Sequence, residues 1–491
     1  MTRVLEFVVA LIIVFILAVI VGLFLPSHAH IQRSIEISHN PRQIYDVLNN
    51  FGRFQDYVGG ELQLQDPQVK FTQSGPAYGP GATISWAGNG TSLGDGKLVN
   101  KSGNIDISNT STVAWTITND WRGENKTFTL QVTPRADQRV SKLTWGYDVD
   151  YGWNLIDRYS QLWIHGAPAT MIQYGLDSLQ NMMAGIPNVD YSKVEPGLYR
   201  TNATPVLLVS TKATRTLDDI DTAKDAALKQ IEAVMDKLGV KAAGPTTTVT
   251  TNWGDTTYTF DLAVPIDATT LTIDGKQHDL TQLPPAPTPE ELSAKPASSA
   301  SAAKASSAAS SSSAAKASSA ASASTAASSS SAGQPASGSS AGAAGKKPIP
   351  GNLDEKNQLI VNADVRARMV PAHEVLEATW TGEAGVPLVR LALKAYAGTH
   401  GYQFDENANR LYDQLASPPG TADSDQVYRV FLPVQGAPAQ TPDQISGRTK
   451  PLSALDPSLW SGNAKPAETK KAASGRKKKT KPQARKRHHR R

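Results

Sequence analysis

The sequence contains no cysteine among its 491 residues. This absence excludes a disulfide framework, a cysteine-based zinc site, an iron–sulfur cluster and a cysteine nucleophile. Charged residues are also few, at 19%, and apolar residues reach only 40%, which is low for globular domains. A segment that is neither apolar nor charged must therefore dilute the composition, and the length suggests two or three domains.

A low-complexity stretch accounts for this dilution. From residue 297 to residue 342, 38 of 46 positions are Ala or Ser. Pro-rich runs on both sides extend it to residues 284–356. Dense Ser, Gly and Pro oppose a stable helix, and the stretch has too few apolar side chains to bury a core. The sequence therefore predicts a flexible Ala/Ser/Pro linker between two folded regions.

The net charge of +5 is concentrated at the carboxyl end of the chain. Residues 465–491 hold 13 Lys or Arg and one acid, so they carry +12 and the rest of the chain carries −7. The pattern predicts a disordered basic tail over residues 437–491, which would bind anionic lipid or another polyanion. A solvated tail with weak nonspecific attraction is the alternative. No aromatic residues interleave with the cations of residues 465–491, so specific nucleic-acid binding is not expected.

The amino end carries one long apolar run. Residues Leu5 to Leu25 read LEFVVALIIVFILAVIVGLFL, with Glu6 as the only charge, and such a helix matches one bilayer core. We expect residues 1–30 to be a single-pass anchor in the inner (cytoplasmic) membrane, although Ser27-His28-Ala29 leaves a cleaved signal peptide open. Because Arg3 precedes the run, the amino terminus is expected inside and the folded domains in the periplasm.

The first folded region, residues 31–187, is predicted to be α+β. Asn40 and Pro41 suit the N-cap and first position of a short helix, and a long helix is expected over 155–184 with a break at Pro168. Between the two helices the pattern predicts strands at Ala82–Ala87, Asp95–Val99, Asn104–Ser108, Ser111–Thr118, Lys126–Pro134 and Ser141–Asp150.

Several segments of this region resemble the SRPBCC superfamily, the START-like and polyketide-cyclase-like helix-grip fold. They are RSIEISHNPRQIYDVLNNFGRFQDY, GPAYGPGATISWAGNG, FTLQVTP and SKLTWGYDVD. The resemblance implies a ligand cavity between a curved sheet and the long helix. Its candidate lining residues are Trp86, Trp115, Trp145, Met171 and Tyr174, for which an ordinary apolar core is the alternative. Acid–base chemistry would fall to Asp148, Asp150, Asp157 or His165.

The second folded region shows an internal repeat, in residues 188–283 and 357–436. One copy has the segments Pro205–Lys212, Asp218–Leu238, Thr246–Trp253 and Thr256–Pro265, and the other has Ala363–Met369, Val386–Tyr396, Asn409–Leu415 and Asp425–Val434. Each copy is predicted to fold as strand, helix and hairpin. The two copies resemble the halves of the GyrI-like effector-binding family, related to AraC-type sensor domains, which enclose a ligand between them.

That second resemblance implies a pocket lined by aromatic and acidic residues. The aromatic candidates are Trp253, Tyr258, Trp380, Tyr412 and Tyr428, with core packing again the alternative. Relatives often carry a glutamate on a central strand, but the segments NRLYDQL and DSDQVYRVFLPV have none. Asp255, Asp413 and Glu377 are imperfect substitutes for it.

Together these patterns predict a membrane-anchored, noncatalytic protein that binds a small hydrophobic or amphipathic ligand or effector, without cofactor or metal. Two alternatives stay open. One is an enzyme, either of the cyclase or hydratase type or a GyrI-like hydrolase. The other is an envelope tether that uses the basic tail.

Overall fold

The computed structural model describes residues 2–88, 94–135, 138–194, 196–287, 348–405, 410–417 and 420–435. The predicted basic tail and most of the predicted linker lie outside these ranges. Within them the chain is mixed α+β. The helices are α1 (Thr2–Phe24), α2 (Pro41–Leu48), α3 (Gly60–Gln65), α4 (Leu155–Tyr159), α5 (Ala167–Ala184), α6 (Leu217–Leu238) and α7 (Val386–His400).

The strands form two large antiparallel sheets and one small hairpin. The first sheet contains β1 (His28–Ile37), β2 (Lys70–Ser74), β3 (Thr83–Ala87), β4 (Gly96–Asn104), β5 (Ser111–Asn119), β6 (Glu124–Arg135) and β7 (Val140–Asp150). The second contains β8 (Gly197–Arg200), β9 (Thr204–Thr214), β10 (Thr247–Trp253), β11 (Thr257–Pro265), β14 (Leu359–Ile360), β15 (Val365–Val370), β16 (Glu374–Thr381), β17 (Tyr412–Leu415) and β18 (Val427–Val434). The hairpin is β12 (Thr270–Ile273) and β13 (Lys276–Asp279).

Helix α1 is the apolar run at the amino end. The most apolar 18-residue window of Arg3–Phe24 has a mean hydropathy of 3.4, and only 6% of that window is buried in the protein. The helix is thus long and apolar enough to be a membrane span or a signal sequence.

The first domain is an open seven-stranded antiparallel sheet in the order β1-β7-β6-β5-β4-β3-β2. Strands β2 to β7 form a meander, β1 pairs with β7 at one edge, and α5 packs along the sheet. Asn40 caps α2 by accepting from the Arg42 N–H, and Pro168 lies at the start of α5, as expected. One strand was missed and one strand prediction is wrong. Lys70–Ser74 forms an unpredicted strand, and Asn104–Ser108 is mostly a turn in which Asp106 accepts from backbone N–H groups.

The second domain has an internal pseudosymmetry in its sheet order, β14-β15-β9-β11-β10-β17-β18-β16-β8. The segment β9-α6-β10-β11 corresponds to β16-α7-β17-β18, and the two meet where β10 pairs with β17. This corrects the predicted repeat. Ala363–Met369 overlaps β15, whereas the strand equivalent to β9 is the unpredicted β16, at Glu374–Thr381.

The first strand of each copy crosses to the other copy. Strand β8, which precedes β9, pairs with β16, and β15, which precedes β16, pairs with β9. The described segments before and after residues 288–347 contact each other, because the Asn357 side chain donates to the Pro285 carbonyl at 2.8 Å.

The two domains share one continuous apolar core, which includes residues of α2, α5 and α7. Where α2 meets α7, Asp46 accepts from Arg42 at 2.9 Å and from the Tyr191 hydroxyl at 2.8 Å. Tyr191 also lies 3.1 Å from the Thr399 hydroxyl, and Asn50 donates to the Thr399 carbonyl at 3.3 Å. These contacts fix the domains against each other through a buried polar cluster.

His400 is buried in this interface, and burial lowers its pKa below the usual 6.5, although Asp46 opposes the shift. The unfolded chain takes up a proton below about pH 6.5, whereas in the folded protein this ring is protonated only at lower pH. The unfolded state then binds more protons, so the free energy of unfolding should fall as the pH falls below that value. Urea midpoints measured between about pH 5 and pH 7 should show this slope.

Two histidine variants would show which residue causes this pH dependence of the free energy of unfolding. His400→Asn should flatten the pH dependence, because it removes the group that titrates differently in the two states. Burial also lowers the pKa of His373 in the second domain, so His373→Asn should remove a separate share of the slope. An unchanged slope in the His400→Asn protein would show that the interface does not carry the effect.

Candidate functional site

The interior of the first domain is filled by aromatic side chains that alternate along the strands. Trp115 and Trp145 are fully buried, and their rings meet edge to face at 5.5 Å. Trp86 is 5% exposed and stacks on Phe54, and Met171 of α5 is 4% exposed. The structure therefore brings these four predicted residues into one core.

Two glycines set how closely the surrounding helices approach. A Cβ on Gly175 of α5 would lie 2.8 Å from the Trp145 ring, so only glycine allows this contact. The fifth predicted residue, Tyr174, is half-buried and points elsewhere: its hydroxyl would lie 2.7 Å from a Cβ on Gly60. Tyr174 thus packs against the start of α3.

Several polar atoms of the first domain are buried without a hydrogen-bond partner. They include the Tyr57 hydroxyl, one carboxyl oxygen of Glu61, and the indole N–H groups of Trp86 and Trp145. Trp115 differs, because its N–H donates to the Leu48 carbonyl at 3.1 Å. Buried polar atoms are normally paired with protein or water, so each of these four has hydrogen-bonding capacity that the protein itself does not use.

Burial shifts the two ionisable members of this group in the same direction. It raises the pKa of Glu61 above its usual value, partly opposed by the hydrogen bond from Gln65. It also raises the pKa of Tyr57, and the nearby Asp56 adds to that shift. Tyr57 and Glu61 are four residues apart, on the segment that packs against α5. Burial therefore disfavours the charged form of both groups.

The acid–base candidates named from the sequence lie elsewhere. Asp148 and Asp150 are on the outer side of β7, where they accept from His30 at 2.7 Å and His28 at 2.9 Å. Asp157 pairs with Arg122 at 3.1 Å, and His165 is exposed. These residues are not in the apolar interior.

In the second domain, α6 and α7 cover one face of the sheet, and charged groups are buried between them. Arg390 of α7 pairs with Asp413 of β17 and donates to the Tyr258 hydroxyl at 3.4 Å. Lys224 of α6 pairs with Glu383. The Nε of Arg390 is buried without a partner. The acidic candidate Asp413 is therefore held in an ion pair.

The other aromatic candidates surround this face. The Trp253 ring lies 4.7 Å from Tyr258, under the guanidinium of Arg215 at 4.3 Å. The Tyr428 hydroxyl donates to Gln426 at 2.7 Å. Trp380 packs against the shared core and close to Gly385. These residues all have protein partners, while Asp255 is exposed.

Tyr412 lies on the opposite face, which carries a second polar cluster. Register places Tyr412 opposite Phe431, and Phe431 opposite Glu377. Arg429 donates to both carboxyl oxygens of Glu377, at 2.6 and 2.8 Å. Beside them one amide oxygen of the fully buried Gln414 has no partner. Glu377, which the sequence offered as an imperfect substitute for the glutamate of the GyrI-like relatives, thus lies on strand β16 of the sheet.

Sequence reasoning missed Tyr57, Glu61 and Gln414. The segment QDYVGGELQLQ carried one usable signal, since Tyr57, Glu61 and the apolar Val58 and Leu62 fall at helical spacing. Nothing local shows that Gln414 would be buried, because its burial depends on the pairing of β10 with β17.

Comparisons with known proteins give fold-level similarities only. No family model matches the chain, and no curated protein matches it. A truncated norcoclaurine synthase from Thalictrum flavum is similar at 14% identity over 33% of this chain and 96% of that one, with a TM-score of 0.24. A hypothetical protein from Helicobacter pylori shows 9% identity over 31% and 86%, also at 0.24.

A third solved structure, from Thermobifida fusca, shows 19% identity over 31% of this chain and 90% of that one, with a TM-score of 0.22. Similarity of this size says nothing about activity. The helix-grip description of the first domain therefore depends on its strand order and on the position of α5. The GyrI-like resemblance of the second domain stays a prediction.

Proposed function

We propose that the chain is a membrane-anchored protein that binds a small amphipathic ligand inside the first domain. The unpartnered polar atoms of Tyr57, Glu61, Trp86 and Trp145 support this proposal. Each buried polar group without a partner destabilises the fold by about 1–3 kcal/mol, so four of them in and around one core call for a partner.

The chemistry of these atoms indicates the ligand class. Two indole N–H groups can only donate, and a neutral phenol or carboxyl can donate as well. The surrounding rings are apolar. A ligand with an apolar body and a carbonyl, hydroxyl or carboxylate acceptor fits both properties.

Replacing Trp145 by phenylalanine tests this binding. The change removes one unpartnered N–H and should weaken a bound acceptor by about tenfold, the equivalent of about 1.4 kcal/mol. Native mass spectrometry of the detergent-solubilised full chain would detect the co-purifying ligand and its loss. Tyr57→Phe should act in the same way.

Trp115→Phe is the matched control, because it removes equal ring volume but an N–H already paired with Leu48. The ligand should remain in that variant. Suppose instead that the protein carries no ligand and that Trp145→Phe and Tyr57→Phe only raise the unfolding midpoint. The two polar groups then have no hydrogen-bond partner of any kind, and the binding proposal is wrong. If both variants lower the midpoint and no ligand is seen, a buried water is the partner, and the binding proposal is wrong.

The enzyme alternative has one supporting observation. Burial raises the pKa of Glu61, and a neutral carboxyl beside a ligand can act as a general acid. A reaction of the cyclase or hydratase type would then depend on this group. Loss of turnover in Glu61→Gln with ligand still bound would favour an enzyme, whereas an unchanged ligand would favour binding alone.

We also propose that α1 is retained as the anchor, with its amino end inside. Its length and apolarity support this, as do its contacts with the folded domain, since Tyr159 and Arg158 donate to its backbone carbonyls. The periplasmic location and a tether function of the basic tail remain proposals that rest on sequence.

A further inference from the structure

The segment between β7 and α5 lies against the carboxyl end of α1. We call residues 152–164 the interfacial segment; it contains α4 and one 3₁₀ turn, Ser160–Trp163. A Cβ on Gly22 of α1 would lie 3.2 Å from the Tyr159 ring and 3.3 Å from Leu155. The segment therefore packs directly on the proposed anchor.

The position of Tyr159 along α1 gives the depth of this contact. Its hydroxyl donates to the Ala18 carbonyl at 2.6 Å. Ala18 precedes the last helical residue, Phe24, by six residues, which corresponds to about 9 Å along the axis. If α1 spans a hydrocarbon core of about 30 Å, the Tyr159 hydroxyl lies just inside the apolar edge of the bilayer, below the headgroup boundary and out of bulk water.

The same segment exposes large apolar side chains. Trp153 is 85% exposed, Ile156 is 65% exposed and Leu162 is 60% exposed. Single exposed apolar residues are common on protein surfaces. Here three of them fall within ten residues, on a segment that packs against the apolar helix α1.

The charged residues of the segment are paired instead of open to water. Arg158 is buried and donates to the carbonyls of Leu23 and Gly152, at 3.1 and 2.8 Å. This satisfies a carbonyl at the end of α1, where the helix dipole favours a cation. Asp157 pairs with Arg122. The segment can thus approach lipid without an unpaired charge.

We propose that the interfacial segment inserts Trp153, Ile156 and Leu162 into the headgroup boundary of the bilayer that holds α1. Amphipathic aromatic residues concentrate at this boundary. The inference rests on the proposed anchor and goes beyond it, because it makes the first domain a membrane-docked domain with a fixed orientation instead of one on a free tether.

The absence of cysteine allows a direct test with single-cysteine variants of the full chain. Ile156→Cys and Leu162→Cys would carry a nitroxide label, in vesicles of phosphatidylcholine with a minor share of phosphatidylglycerol. Leu388→Cys is the matched control, since Leu388 is 51% exposed on α7 of the other domain. Oxygen and a water-soluble nickel complex compete to relax the label, and their ratio reports depth.

We expect the oxygen-to-nickel ratio to be several-fold higher at residues 156 and 162 than at residue 388. Equal ratios in protein that remains with the vesicles after an alkaline wash would overturn the docking and leave the anchor standing. Labels shielded from both reagents would overturn it in favour of a protein partner. Protein released by the wash would refute the anchor and the docking together, while ligand binding in the first domain would be unaffected.

Discussion

Replacing Gly401 by alanine should lower the free energy of unfolding by about 2–5 kcal/mol, the sum of a left-handed backbone penalty and a steric one. Gly401 ends α7 at φ +78°, and an added Cβ would lie 2.7 Å from the backbone carbonyl of Gly52 in the first domain. Because the obstacle is backbone, it cannot move aside without shifting one domain against the other. Urea unfolding of the full chain in detergent measures the loss.

Gly239 offers a matched control. It ends α6 in the same left-handed conformation, at φ +69°, but an added Cβ would meet nothing within 4 Å. Gly239→Ala should therefore show the backbone penalty alone, about 1–2 kcal/mol. Equal losses in the two variants would mean that the contact between Gly401 and Gly52 contributes nothing to the domain interface.

Replacing Arg429 by methionine should destabilise the protein by about 3–5 kcal/mol, because it leaves the buried Glu377 carboxylate without its partner. Both side chains are less than one-tenth exposed, and the guanidinium donates to both carboxyl oxygens. Thermal and urea unfolding of the variant would show the effect.

The double variant Arg429→Met with Glu377→Met should recover most of this loss, since it removes both charges and keeps the volume. Arg122→Met provides a surface comparison: its pair with Asp157 is largely exposed on the arginine side, so the loss should stay below about 1 kcal/mol. If the double variant is as unstable as the single one, the pair is not the source of the destabilisation.

Local signals in the sequence were enough to predict where two helices begin. Asn40 and Pro41 define the start of α2, and the helix predicted from Asp218 begins at Leu217, where Thr216 accepts from the Asp219 N–H. Strands β5, β6 and β7 were also predictable, because their buried positions alternate along most of each strand, with buried Gly146 as the exception in β7. In each case a few neighbouring residues carry the information.

Strand β16 could not be predicted in this way. Its sequence EVLEATWT contains Glu and Ala, which favour helix over strand. It is a strand because β18 and β8 pair with it on both sides. This omission shifted the predicted repeat by one strand and concealed the position of Glu377 inside the sheet.

The candidate site shows the same division between local and long-range information. The sequence identified Trp86, Trp115 and Trp145 as a group, since tryptophans on alternating strands suggest a common interior. It could not separate Trp115, whose N–H reaches Leu48, from Trp145, whose N–H reaches nothing. That distinction depends on how α2 lies across the sheet.

The exchange of β8 and β15 between the two copies determines how much the covalent connection contributes to holding the two halves of the second domain together. Each half of the second domain supplies an outer strand to the other half, and β10 joins β17 at the centre. The two halves are thus joined directly by sheet hydrogen bonds between described strands. Peptide-bond continuity through residues 288–347 then adds mainly to the effective concentration of one half near the other.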